Sequence, residues 1–182
     1  MKKTLLSLFA LLAWATVMAQ ETNERFAIGI HGGEAWLSTF KGSGYYDWGY
    51  NIEVSGIIKL SNNQRVEIDL GWTDYGTDKY TTNGYLHLSA GYHWYWHIVA
   101  GLGWYVGPSA NVGVWLDRYG YSGYTTSDNR FCIGIGGQVG LEYDFNIPLQ
   151  LTFDARPSFN FKIPGDPFMT ANWFNFGLRY RF

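Results

Sequence analysis

The stretch YYDWGYNIEVSGIIKL, Tyr45 to Leu60, presents two different surfaces when read at every second residue. Side chains on a β-strand alternate between faces. Tyr46, Trp48, Tyr50, Ile52, Val54, Gly56 and Ile58 therefore share one face, and Asp47, Gly49, Asn51, Glu53, Ser55, Ile57 and Lys59 share the other. One face is oily and aromatic; its opposite is small, polar or charged. Which of them meets the surroundings decides the fold.

The same alternation recurs along the chain. Val66, Ile68, Leu70 and Trp72 oppose Arg65, Glu67, Asp69, Gly71 and Thr73. Ile133, Ile135, Val139, Leu141, Tyr143 and Phe145 oppose Gly134, Gly136, Gln138, Gly140, Glu142 and Asp144. Leu149, Leu151 and Phe153 oppose Gln150, Thr152, Asp154 and Arg156. At the end, Phe174, Phe176, Leu178, Tyr180 and Phe182 oppose Trp173, Asn175, Gly177, Arg179 and Arg181. In the first strand Glu34 breaks the rule by sharing parity with Phe26, Ile28 and Ile30.

Eight strands are expected: 26–37, 45–59, 64–75, 85–95, 97–115, 130–145, 149–161 and 170–182. They match or exceed the roughly 9–11 residues that a tilted strand needs to cross hydrocarbon. Short connections (60–63, a turn near Trp96, 146–148) alternate with longer ones (38–44, 76–84, 116–129, 162–169). An even number of strands with short turns on one side and long loops on the other fits a transmembrane barrel. Both ends of the barrel chain then fall on the short-turn, periplasmic side.

Composition agrees. Glycine numbers 23, aromatics make up 19% and charged residues only 15% of the 182 residues. In a soluble barrel the oily face would point inward, but so many Trp, Tyr and Phe do not fit inside eight strands. The polar face is rich in Gly, which suits a crowded lumen better than an exposed strand surface. Inverting the barrel resolves both problems, because a closed sheet satisfies its own backbone groups in lipid. The fold class is all-β, an eight-stranded antiparallel up-and-down transmembrane β-barrel.

Residues 1–19 read as a separate element. Lys2 and Lys3 precede the apolar run Thr4–Met18, too short for a spanning helix, and Val17-Met18-Ala19 supplies a cleavage pattern. A signal peptide is expected over 1–19 and the barrel domain over 20–182. Losing Lys2 and Lys3 from the 13 basic residues leaves 11 against 15 acidic ones, a net charge of −4. Nothing in that balance invites nucleic acid. The lone Cys132 cannot form an intramolecular disulfide and reads as a small packing residue.

Aromatic girdles follow from the same inversion. Trp94, Trp96, Phe145, Tyr180 and Phe182 are expected at the periplasmic interface, and Trp36, Tyr46, Trp48, Trp72, Trp104 and Phe159 toward the other. Inside, Lys59, Arg65, Arg156, Arg179 and Arg181 face Asp47, Glu53, Glu67, Asp69, Glu142, Asp144 and Asp154. An unpaired buried charge costs about 3–5 kcal/mol, so an internal ion-pair network with waters is expected, in a polar lumen without an open pore. Pro108 and Pro157 each lose a ladder bond and should lie near a bulge or the rim.

From Phe26 to Phe182 these residues resemble the small eight-stranded outer-membrane β-barrel proteins, with architecture like the OmpA transmembrane domain and OmpX. Within that group YLHLSAGYHWYWHIVAGLGWYVGPSANVGVWL, Tyr85–Leu116, is similar to the PorT-like outer-membrane barrel family of Bacteroidetes-type bacteria, with Gly107-Pro108 as its GP dipeptide and Ser89 where that pattern carries Pro. The terminal LRYRF, with Tyr180 and Phe182, resembles the signal read by the barrel assembly machinery. The resemblance implies residence in the outer membrane of a diderm bacterium, with membrane lipid and that machinery as partners.

His87-Leu88-Ser89 is the one candidate catalytic pair, since a His-x-Ser on a strand resembles the outer-membrane lipid A deacylase. Its inward parity and the lack of a nearby carboxylate on the following strand favour a polar lumen pair over a hydrolase. His31, His87, His93 and His97 are scattered, so no metal site is expected, and no cofactor. Tyr119, Tyr121 and Tyr124, spaced by Gly and Ser in the longest loop, are the candidates for surface binding. The reading is a non-enzymatic outer-membrane protein with a structural or interaction role. The alternatives are a lipid-modifying enzyme and a subunit of an export or adhesion machine.

Overall fold

In a computed structural model, described over residues 25–40, 46–78, 81–121 and 124–182, the chain is a closed barrel of eight antiparallel strands in sequence order. They are β1 (Phe26–Thr39), β2 (Tyr46–Ser61), β3 (Gln64–Asp78), β4 (Thr81–Val99), β5 (Leu102–Tyr121), β6 (Tyr124–Asp144), β7 (Leu149–Ile163) and β8 (Pro167–Arg181). The expected cleaved segment 1–19 lies outside the described residues. Closure is by β8 on β1, where Ile30 faces Leu178 and Ile28 faces Tyr180. Near the chain ends the Phe182 N–H donates to the Phe26 carbonyl at 2.8 Å.

Stepping around the barrel through paired residues runs Ile28, Gly56, Ile68, Ala90, Ala110, Ile135, Phe159, Met169 and back to β1 at Ser38. The sheet thus closes with a stagger of ten residues along β1, from 28 to 38. Such a stagger tilts the strands by roughly 35–45° to the axis and leaves a lumen that side chains fill.

The opening alternation becomes two surfaces. Ile52 is 58% exposed while Ile57 is 3% exposed, and Val54 and Ile58 join the first while Asn51, Glu53 and Ser55 join the second. Most polar and ionic side chains are inside, and most Ile, Leu, Val, Phe and Trp are outside.

Four local expectations change. The β4–β5 turn lies at Ala100-Gly101, not near Trp96; Gly101 has φ of +76°, a conformation that glycine adopts without strain. Trp96 and Trp104 are then direct cross-strand partners with stacked rings 4.7 Å apart. Trp104 therefore sits at the short-turn end with Trp94 and Trp96, not at the far interface.

Within the expected loop 116–129, residues 116–121 belong to β5 and 124–129 to β6. Leu116 pairs with Asn129 and the ladder runs on to Tyr121 opposite Tyr124. Tyr and Thr at 119, 121 and 124–126 favour strands, and cross-strand pairing outweighs the turn-forming Gly, Ser and Asp among them. The side chains of Tyr46, Tyr119, Tyr121 and Tyr124 lie outside the described residues. In the same way β3 and β4 extend into the expected loop at 76–84, where Thr77 faces Thr82.

In β8 the pairing with β7 slips between Asp154 opposite Asn175 and Arg156 opposite Asn172. This one-residue bulge puts Asn172 inside and Trp173 outside, at 45% exposure, which reverses the parity expected for Trp173.

Finally, the outer end of the lumen is apolar, where a wholly polar filling was expected. Ala35, Leu37, Tyr75, Tyr85, Trp115, Cys132 and Phe168 form a buried cluster there. Burying these side chains against one another removes their apolar surface from water at the open end of the lumen.

The prolines occupy interruptions of the ladder. Pairing of β4 with β5 skips Gly107 and Pro108, and pairing of β6 with β7 skips Arg156 and Pro157. No ladder bond is lost where none is made.

Candidate functional site

The lumen is organised around Arg156. Its guanidinium lies 2.8 Å from Glu53, 3.1 Å from Glu67, 3.0 Å from Asp69 and 2.7 Å from Asp154. Those carboxylates come from β2, β3 and β7, so one side chain ties three strands across the interior. His31 from β1 adds Nδ1 at 2.5 Å. Since a guanidinium only donates, His31 Nδ1 accepts, and its Nε2 lies 3.2 Å from Ser55 Oγ.

A second layer lies toward the short-turn end. Arg179 reaches Glu67 at 2.5 Å and the Gln150 carbonyl oxygen at 3.2 Å. Arg65 reaches Glu142 at 2.5 Å and stacks 4.3 Å from the Tyr105 ring. Tyr105 in turn donates to Asp154 at 2.6 Å. At the mouth, Asp144 accepts from Gln150 at 2.8 Å and lies 3.4 Å from Arg181. Arg181 also donates to the carbonyls of Phe145 and Ile147, both at 3.1 Å, which braces the β6–β7 turn.

Not every inward charge joins this core. Lys59 is exposed at the mouth, and Asp47 lies at the opposite end of β2, accepting from the Trp48 N–H at 2.9 Å. Parity placed His93, Gln138 and Asn175 on the inward face, but counting charges alone left them out of the network. The Gln138 amide lies 2.8 Å from His93 Nε2, and Asn175 donates to Asp154 at 3.2 Å.

Glycines make room for these contacts. A Cβ on Gly140 would come within 2.6 Å of the Tyr105 ring and 2.7 Å of Asp154 Cβ. One on Gly71 would lie 2.6 Å from the His87 ring and 2.7 Å from Glu53. These positions carry glycine because the lumen is full.

His87 and Ser89 each serve a different carboxylate. His87 Nε2 lies 3.3 Å from Glu53, and Ser89 Oγ donates to Asp69 at 3.2 Å. His87 Nδ1 has no protein partner, and the residue borders an internal cavity of about 50 Å³ also lined by Ser109, Asn111, Ser158 and Thr170. That volume admits ordered water, which needs about 10–15 Å³ per molecule on this measure. Above it the aromatic cluster closes the lumen: Tyr75 and Trp115 stack at 5.5 Å, Phe168 meets Trp115 edge-on at 5.3 Å, and the Lys162 ammonium lies 3.6 Å from the Trp115 ring centre. The lumen is thus closed twice, by ion pairs and by rings.

On the outside, Trp94, Trp96 and Trp104 cluster toward the short-turn end, with Phe145 edge-on to Tyr143 and Tyr180 edge-on to Phe182, both at 5.0 Å. At the opposite end Trp36 pairs with Trp48 across β1 and β2, Trp72 packs over Gly84, and Phe159 meets Phe40 at 5.6 Å. Among the described residues no group of three or more His, Cys, Asp and Glu is arranged to hold a metal ion.

A barrel with an ionic interior and an apolar exterior is the arrangement of outer-membrane proteins. The sequence matches the family model of the outer membrane protein β-barrel domain over residues 6–182. The chain belongs to that family. This outer-membrane barrel superposes on the crystal structure of Neisserial surface protein A with a TM-score of 0.68 at 16% identity, covering 86% of this chain and 97% of that one. Ail, the attachment invasion locus protein of Yersinia pestis, gives 0.55 at 16% identity over 88% and 100%. The N-terminal β-barrel domain of Pseudomonas aeruginosa OprF gives 0.52 at 17% over 88% and 100%. No curated protein is significantly similar to the chain in sequence. The outer-membrane barrel is an integral protein of that membrane, its apolar face toward lipid.

Proposed function

We propose that this outer-membrane barrel is a non-enzymatic surface-interaction protein, with a plugged, rigid stem carrying a binding edge beyond the membrane. One observation carries the reading. Pairing of β6 with β7 ends at Phe131 opposite Ile163, yet β6 starts at Tyr124, so residues 124–129 run on well beyond the last β7 pair. On its other side the same segment is held by β5 as far as Tyr121 opposite Tyr124. β3, β4, β5 and β6 thus project together as a sheet whose β6 edge, over 124–129, pairs with no further strand among the described residues. By the general rule for these barrels the short-turn end is periplasmic and the long hairpins are external.

An open edge offers backbone donors and acceptors to an added strand, the mode by which an extended polypeptide is bound. The partner class is therefore an extended segment of another surface or extracellular protein. The separate carboxylate partners of His87 and Ser89, and their place inside the sheet, support the non-enzymatic reading over lipid modification.

A photo-reactive residue placed at Thr126 or Asp128 in intact cells is expected to give one discrete polypeptide adduct. The same residue at Asn62, on the short-turn side, is expected to give none of that product. Absence of an adduct from both edge positions, or the same adduct from Asn62, overturns the proposal.

A further inference from the structure

The end of the barrel opposite the projecting sheet holds a larger opening. A cavity of about 460 Å³ lies at the short-turn mouth, lined by Lys59, Ser61, Asn62, Gln64 and Arg65 from β2, β3 and their turn, by Tyr95 and His97 from β4, and by Glu142 and Asp144 from β6. That is within the size range of small-ligand sites, about 300–1,000 Å³.

The charges of the lining are not equally spent. Glu142 is engaged by Arg65 at 2.5 Å with Arg179 at 3.9 Å, and Asp144 by Gln150 at 2.8 Å with Arg181 at 3.4 Å. Lys59 and Arg65 are direct cross-strand partners on the same inward face of β2 and β3. Like charges directly opposite each other repel, and a sheet keeps such a pair only with something to offset it. Arg65 is buried, at 3% exposure, and has Glu142. Lys59 is exposed and makes no ion pair among the described residues. The unspent charge of the mouth is positive, and the adjoining turn brings the donor amides of Asn62 and Gln64 beside it.

We propose that this mouth binds an oxyanion, a carboxylate or phosphate group on a molecule of the periplasmic side, with Lys59 supplying the charge and the Asn62 and Gln64 amides completing the seat. The anion sits beside the exposed Lys59 and offsets its repulsion with Arg65 beneath. A cationic ligand has no comparable seat, because both carboxylates already hold donors. The site is independent of the projecting edge of β6, at the opposite end of the barrel.

The test uses the full protein purified in detergent micelles with isotope-labelled side-chain amides. Inorganic phosphate and, separately, acetate are titrated against chloride at constant ionic strength and pH, following the Asn62 and Gln64 amide signals. At least one anion is expected to give saturating shifts, weakened tenfold or more in Lys59→Met and undiminished in Asp144→Asn. Saturation by phosphate alone assigns a phosphate-bearing ligand, and saturation by acetate a carboxylate-bearing one. Lys59→Met removes an exposed side chain without an ion partner, so its spectrum away from the mouth should match the parent. If neither anion saturates, or if Lys59→Met titrates like the parent, the proposal is overturned.

Discussion

Replacing Arg156 with methionine is expected to destabilise the barrel by at least about 3–5 kcal/mol, the cost of leaving a buried ion without its partner. The loss should sit at or above that range because one guanidinium serves Glu53, Glu67, Asp69 and Asp154 together. Methionine keeps much of the volume and removes the charge, so four carboxylates are left crowded in the lumen. Equilibrium unfolding in urea, followed by Trp fluorescence in lipid vesicles, measures the change. Arg181→Met at the mouth should cost far less, since Arg181 braces a solvent-facing turn through the Phe145 and Ile147 carbonyls. Adding Asp154→Asn to Arg156→Met should recover part of the loss, because the second change removes one of the stranded charges. A loss below about 1 kcal/mol for Arg156→Met, the range of exposed ion pairs, would mean that the carboxylates are hydrated rather than enclosed.

The second large effect belongs to the outer face. Leu70 projects outward from the middle of β3, between Val54 and Leu88 on its neighbours, and is 55% exposed. Leu70→Arg is expected to cost about 2–4 kcal/mol in vesicles, the penalty for a cation at the bilayer midplane of a barrel. In a soluble protein the same change at an exposed site would be nearly neutral, within about 0.5 kcal/mol. The same unfolding assay separates the two cases.

Much of this architecture is legible in the residues themselves. The run from Tyr46 to Lys59 fixes strand, parity and environment at once, because a period of two with Gly and ions on one side and aromatics on the other fits only an inverted barrel. Arg156 and its carboxylate partners could be placed on the lumen side from parity alone. Their convergence on one guanidinium could not, because it depends on a stagger of ten residues that brings β2, β3 and β7 side chains to one level.

Parity also failed where the backbone departs from regularity. Trp173 points outward because a bulge inserts one residue beside it, and no local residue type announces that insertion. Residues 116–129 look like a loop by their Gly, Ser, Asp and Asn content, yet 116–121 pair with 124–129 as strands, since the tertiary ladder outweighs local turn preference. The apolar cluster of Tyr75, Trp115 and Phe168 escaped the rule of a polar lumen because its residues come from β3, β5 and β8 and meet only once the barrel closes.

Ile52 and Ile57 lie five residues apart on β2 and on opposite faces, the first exposed and the second buried. The most direct measurement of inverted polarity labels the methyl groups of both in the barrel embedded in lipid nanodiscs and records magnetisation transfer from the acyl-chain protons. Strong transfer to Ile52, and to Ile58 beyond it, with none to Ile57, is the predicted result. Transfer to Ile57 with none to Ile52 would place the oily residues in the interior and contradict the account.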